Sequence, residues 1–313
     1  MSIPNIKSKF LGGMIGSALG DCIGELAFRF GNKKDLVKEI NNRNVIQYTD
    51  DTAMALGIAE TIVSTNGDWN SRDLGKTFHK NFNKEPYRGY GRGPPQIFRT
   101  VEMTNESYYK VASELFGGKG SFGNGASMRI APLGIFYYDH PEIYKIAKKS
   151  AIVTHIHPLG IDGAALLAKL NSMLITRKPK ELIIQEKLNI INDLIKFSKT
   201  SEYRQKLEKI KDLIINNERL ITAERILGSD VLAYTSVPFS IFAFLNNPES
   251  YRTNLLETVL ISKDRDTVGA MVGGLLGSYL GIEFIPDEWI QRLENKDYIE
   301  QLGLKLFDLK NLK

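Results

Sequence analysis

The sequence predicts an all-α protein folded as one domain over residues 1–313. Three observations carry this. Apolar residues recur at i, i+3 and i+4 almost throughout, with few of the alternating β-branched runs that make half-buried strands. Turn signals such as Asn66-Gly67-Asp68 and Phe116-Gly117-Gly118 punctuate the helical pattern. No Gly/Ser-rich or Pro-rich linker divides it, and 42% hydrophobic against 25% charged residues allow a sizeable core.

In chain order, helices are predicted at about 5–27, 51–65, 71–82, 93–102, 107–115, 141–151 and 156–175. Further helices are expected at about 178–198, 202–216, 218–227, 231–246, 251–262, 267–281 and 296–309. The lysine- and isoleucine-rich stretch from Lys178 to Leu220 reads as amphipathic helices with solvated outer faces. The first helix and the one before Gly281 share a feature: Gly12, Gly16, Gly20 and Gly24 lie four apart, as do Gly269, Gly273, Gly277 and Gly281. Glycine in a helix costs about 1 kcal/mol relative to alanine, so this stride needs a reason. It keeps one helix face bare, where a second backbone can approach closely. Membrane packing would also use such a stripe. Thr267 to Ile282 gives only 16 uncharged residues, short of the roughly 20 that span a bilayer. Tight packing at the centre of a soluble bundle is therefore expected, with these helices bringing Asp21 and the Asp264 cluster near the Asp50 cluster.

Composition narrows the partners. A net charge of +5 suits an anionic ligand such as a pyrophosphate and is too mild to argue for DNA. The single cysteine, Cys22, excludes an internal disulfide framework and fits a reducing compartment. Met1 to Phe10 lacks an apolar run with a cleavage site, so a cytoplasmic protein, working as a monomer without DNA or membrane, is expected. Arg88-Gly-Tyr-Gly-Arg92-Gly-Pro-Pro occurs once and reads as a structured loop rather than a low-complexity tract.

The chemistry lies in two acidic helix starts, Thr49-Asp50-Asp51-Thr52 and Asp264-Arg265-Asp266-Thr267. One such motif is ordinary capping. Two, each with a pair of carboxylates and a threonine hydroxyl, exceed what capping needs. They form a set of hard oxygen donors suited to magnesium or manganese. Gly117-Gly118-Lys119-Gly120-Ser121-Phe122-Gly123-Asn124-Gly125 holds five glycines in nine residues. It is either a phosphate cradle or a flexible connector, and it lacks the P-loop pattern. Arg129, just beyond, would pair with a carboxylate or a ligand. His155 and His157, two apart, do not make a zinc pair. One of them is read as a ligand contact or a structural histidine. Cys22 reads as a small core residue.

Together these segments resemble the ADP-ribosylglycohydrolase family. The likeness runs from Phe10 to about Gly281 through five ordered motifs: Gly20-Asp21-Cys22-Ile23-Gly24, Tyr48-Thr49-Asp50-Asp51-Thr52, Gly123-Asn124-Gly125-Ala126-Ser127-Met128-Arg129, Thr154-His155 and Asp264-Arg265-Asp266-Thr267. Arg88-Gly-Tyr-Gly91 and Lys119 to Gly125 look most like the branch acting on poly(ADP-ribose), O-acetyl-ADP-ribose and ADP-ribosylserine. The resemblance implies an orthogonal multi-helix bundle and a magnesium-dependent glycosidase with two ions, manganese being the alternative. It implies Thr49, Asp50, Asp51, Asp264, Asp266 and Thr267 as ligands, with Asp266 bridging. Asp50 or Asp51 would be the catalytic acceptor of a proton from water. Asp21, Gly120, Ser121, Phe122, Gly123, Asn124 and His155 would contact ADP-ribose or an ADP-ribosylated protein. Two positions depart from the family's pattern. Ser262-Lys263 replaces Gly-Gly, where an inward ammonium would compete with a metal, and Phe28 replaces a glutamate, with Glu25 one turn earlier. An ADP-ribose-binding module without turnover and a nucleotide pyrophosphate hydrolase use the same pocket and donors and stay open here.

Overall fold

A computed structural model describes residues 5–312. Residues 1–4, part of the segment read above for a signal peptide, lie outside the described residues, as does Lys313. The chain runs through α1 (Ile6–Ala27), α2 (Lys33–Asn42), α3 (Asp50–Ser64), α4 (Ser71–Lys84), α5 (Gly93–Thr104), α6 (Tyr108–Gly118), α7 (Gly125–Met128), α8 (Ala131–Phe136) and α9 (Ile143–Ala151). It continues through α10 (Pro158–Ile175), α11 (Ile184–Phe197), α12 (Ser201–Ile215), α13 (Leu220–Leu227), α14 (Ala233–Asn246), α15 (Tyr251–Ile261), α16 (Arg265–Leu280), α17 (Asp287–Ile290) and α18 (Lys296–Asn311). Among the described residues there is no β-sheet; two isolated bridges pair Ile46 with Leu293 and Gly123 with Leu232. No described helix is long and apolar enough to cross a membrane.

The glycine stripes pack against each other at the centre. A Cβ on Gly12, Gly16 or Gly20 would meet the carbonyl oxygen of Gly277, Gly273 or Gly269 at 2.4, 2.5 or 1.9 Å. Each four-residue step forward on α1 is four back on α16, so the pair is antiparallel and glycine meets glycine. One turn further, Gly24 lies against the backbone of Arg265 and Asp266. Helices α8, α10, α14, α15 and α18 close around this pair, the first and last mainly on α1 and the others on α16.

Most predicted helices form within a few residues of their expected ends. Helix α2 was not expected: its ten residues bury only Leu36 and Ile40, and Asn32 caps it. Helices α7 and α8 occupy a Gly- and Pro-containing stretch that reads as loop. They form because Ala131-Pro132 begins a helical turn without needing a proline N–H, and every residue from Ala131 to Phe136 is buried. The helix expected from about 178 begins only at Ile184, after the Lys178-Pro179 turn.

Candidate active site

Asp21 organises the first acidic motif. Fully buried on α1, its carboxylate accepts from Thr49 N and Oγ1 at 2.9 and 2.8 Å, and from Thr52 N and Oγ1 at 3.0 and 2.6 Å. Four donors from the first turn of α3 thus converge on one side chain of α1. Thr49 Oγ1 is also 3.1 Å from Asp51 Oδ2. Asp21 is not part of the cavity wall; it sits behind it and fixes the pitch of Asp50 and Asp51.

The second motif is held from both sides. Asp264 N donates to Ser229 O at 2.9 Å, and Lys263 N to Ser229 Oγ at 2.9 Å. Arg265 donates to the carbonyls of Ala27, Phe30, Ser262 and Leu260, tying the C-terminal ends of α1 and α15 to the start of α16. The Lys263 ammonium lies 3.7 Å from Glu224 on a side chain 67% exposed, and Lys263 does not line the cavity that holds the site carboxylates. The Ser-Lys departure therefore places no cation in the site.

Both motifs face one cavity of about 460 Å³, which brings Asp50, Asp51, Asp264, Asp266 and Thr267 together with Ser121, Phe122, Gly123, Asn124, Gly125 and His155. Thr49 does not line the cavity; its hydroxyl bonds Asp21 and Asp51. Gly120 is not in the wall: its N–H donates to Leu115 O, its φ is +70°, and a Cβ there would strike Ile156 at 2.2 Å. The glycine loop is ordered by pairing with the segment before α14: Asn124 N donates to Val231 O at 3.0 Å and Ala233 N to Phe122 O at 3.1 Å. Asn124 Nδ2 reaches Asp264 Oδ2 at 2.6 Å, joining the loop to the acidic cluster. His157 caps α10 through Leu159 N and is no part of the wall.

Sequence reasoning had not placed several wall residues: Met54, Gly89, Gly91 to Pro94, Phe116, Met128, Thr154, Val231 and Leu232; Arg129, read as pairing with a carboxylate or a ligand, lies in the wall as well. Phe116 is 59% exposed with φ +56°, an apolar ring held at the cavity where α6 breaks. Its place just before Gly117-Gly118 was the available signal, since an aromatic at a helix break has no core to enter. The Arg88–Gly93 loop is anchored by Arg88, which bonds Glu294 and Glu85 and donates to Tyr48 O at 3.1 Å, just before the first acidic motif.

Burial and crowding dominate the electrostatics. Burial, followed by the Asp21 and Asp266 charges, pushes the Asp50 carboxyl up to about 8 and carries Asp51 well above the carboxylate range. Burial, then Asp266, lifts Asp264 to about 7. Burial lowers His155 to about 3, with Arg129 adding to the effect, so its ring is neutral at physiological pH. Arg129, fully buried over the Phe78 ring, is lowered to about 9 by its own burial.

These residues fit a divalent cation by donor type: carboxylate and hydroxyl oxygens only. Asp51 Oδ1 is buried without any hydrogen-bond partner, an orphan acceptor inside an uncompensated acidic cluster. Among the described residues no three His, Cys, Asp or Glu side chains are gathered closely as a metal-holding group. Asp264 Oδ2 accepts from Asn124 Nδ2.

Comparison with known proteins follows the same line. The ADP-ribosylglycohydrolase family model matches residues 2–313. The ADP-ribosylhydrolase ARH3 of Xenopus tropicalis is 32% identical, the match covering 96% of this chain and 95% of that protein. The Homo sapiens ARH3 is 27% identical over 96% and 93%. A solved structure of an ADP-ribosylglycohydrolase-related protein complex superposes with a TM-score of 0.74 at 22% identity, covering 97% of this chain and 99% of that one, and shares the all-α fold. The paired glycine helices, the two facing acidic motifs and a family match along nearly the whole chain make this protein a member of the ADP-ribosylglycohydrolase family, a glycosidic hydrolase similar to the ARH3 enzymes.

Proposed function

We propose that the cavity binds ADP-ribose and that the protein hydrolyses the glycosidic bond of ADP-ribose conjugates in a divalent-metal-dependent reaction. The conjugates are ADP-ribosylated protein, serine-linked above all, O-acetyl-ADP-ribose or poly(ADP-ribose). The observation that carries the metal reading is the orphaned Asp51 Oδ1 within four carboxylates lining one cavity. Asp50, Asp51, Asp264 and Asp266, with Thr49 and Thr267, would hold two magnesium ions, or manganese. Bound there, divalent ions would supply charge neutralisation and Lewis-acid activation of water.

The remaining work belongs to the chain's own groups. Asp50 or Asp51 accepts the proton of the attacking water, and the surrounding carboxylates favour the oxocarbenium-like charge of glycosidic cleavage. The Ser121 and Phe122 backbone and the His155 ring receive the diphosphate. Phe116 offers its exposed face to the base, as aromatic rings do in nucleotide sites. Asp21 keeps the first motif rigid from behind. Buried Cys22 supports a reducing, cytoplasmic setting, and monomeric action is proposed with it.

Mass spectrometry of a serine-ADP-ribosylated peptide incubated with the protein, with magnesium or with chelator, tests this. Intact ADP-ribose released only with metal is the expected result. AMP with ribose phosphate would move the reaction to the pyrophosphate, and ADP-ribose binding with no product from any of the three conjugates would make the protein a binder.

A further inference from the structure

Along one wall of the cavity runs a buried chain of three polar groups. Arg129 Nη2 donates to Ser150 O at 3.2 Å and to Thr154 Oγ1 at 2.9 Å, and Thr154 Oγ1 lies 2.7 Å from His155 Nδ1. Arg129, Thr154 and His155 are 0%, 1% and 6% exposed. A threonine hydroxyl has one proton. Were His155 Nδ1 to carry a hydrogen, Thr154 Oγ1 would receive two donors, and its own proton would have no acceptor among its hydrogen-bond partners. The arrangement that satisfies both Thr154 Oγ1 and His155 Nδ1 has Arg129 donating to Thr154, and Thr154 donating to an unprotonated Nδ1. A neutral imidazole then bears its hydrogen on Nε2. That nitrogen faces the glycine loop: it lies 3.1 and 3.7 Å from the points where a Cβ on Gly125 or Gly123 would sit.

We infer that Arg129 and Thr154 are positioning residues that hold His155 as an Nε2–H donor aimed at an anionic oxygen of the ligand above the Ser121–Gly125 loop. The ligand half of this inference rests on the ADP-ribose reading; the tautomer half does not. His155 then acts as a fixed hydrogen-bond donor and takes no part in moving the water's proton, which leaves that step to the carboxylates. A glycine loop supplies backbone donors to many anions; a neutral ring locked from behind adds one donor that selects a correctly placed acceptor.

Long-range 1H–15N correlation of the imidazole rings tests the tautomer without ligand, with His155→Gln assigning the signal among four histidines. The expected wild-type spectrum shows a pyrrole-type Nε2 and a pyridine-type Nδ1. Nδ1–H, or a charged ring at neutral pH, would overturn the inference. Thr154→Val should mix the tautomers and weaken ADP-ribose binding by calorimetry about tenfold, the scale of one hydrogen bond to a charged acceptor. Thr154→Ser should restore both. A valine variant that keeps the pure Nε2–H form and full affinity would refute the relay. Should valine fail to fold, the wild-type spectrum and the serine variant still decide. Wild-type protein that binds no ADP-ribose would instead sink the functional reading and leave the ring assignment standing.

Discussion

Gly20→Ala probes the packing that brings the two acidic motifs together. A Cβ at Gly20 would lie 1.9 Å from Gly269 O and 2.5 Å from its carbonyl carbon, against 3.4 Å or more for ordinary contact. The helices must part by roughly 1.5 Å, because the obstruction is backbone and has no rotamer to yield. Overpacking costs about 1–3 kcal/mol, more where relief requires backbone movement. Alanine returns about 1 kcal/mol through helix propensity and a stiffer unfolded chain. The net expectation is a loss of about 2 kcal/mol, which lowers Tm by about 3 °C in a chain of this size. Gly31→Ala is the control: nothing lies within 4 Å of its Cβ, so a change within about 0.5 kcal/mol is expected. Urea unfolding of the three proteins gives the comparison. Since Gly20 adjoins Asp21 and Gly269 follows Asp266 by three residues, hydrolysis should also fall, on the order of tenfold to a hundredfold, through displaced carboxylates. A Gly20→Ala protein as stable as wild type would refute the close approach.

Three further outcomes are expected. Asp51→Asn replaces a carboxyl whose ionised form burial and the neighbouring carboxylates disfavour; in chelator it should raise stability by about 1–3 kcal/mol while abolishing the magnesium-induced rise in Tm, both read by thermal unfolding. Arg88→Ala leaves Glu294 without its partner and frees Tyr48 O; with the guanidinium side chain only 4% exposed, a loss of about 3–5 kcal/mol in denaturant unfolding is expected, with weaker magnesium binding. His155, lowered to about 3 by burial, binds its proton in the unfolded chain first, so stability falls as pH drops from about 6.5 towards 3. At pH 5 this amounts to about 2 kcal/mol, and the slope should be missing from the stability curve of His155→Gln.

The glycine stripes were legible because eight helix-weakening residues at a fixed stride have no local rationale; only a close neighbour explains them. The hard-donor character of Asp50, Asp51, Asp264 and Asp266 was legible from excess over capping. What escaped was anything set by the angle at which helices meet. That Asp21 lies behind the wall rather than in it follows from the α1–α3 contact. That Lys263 turns to Glu224 follows from the place of α13. Phe116 depends on a backbone break at positive φ that local pattern does not specify, and Gly120 is a turn residue whose N–H is already used. Helices α7 and α8 were missed because buried neighbours, not propensity, hold such short segments, and α2 because only Leu36 and Ile40 mark its buried face.

The antiparallel seating of α1 on α16 also sets an order of events during synthesis. Among the described helices α1 is made first, and its partner α16 is the sixteenth of eighteen. At about 5–20 residues per second, the bare glycine face waits on the order of ten seconds or more for the surface that covers it. A protein built from local helices therefore carries a long-range closing step of the kind usual in β-sheets. Its two acidic motifs meet only at that step, so a chain released early would lack the site altogether.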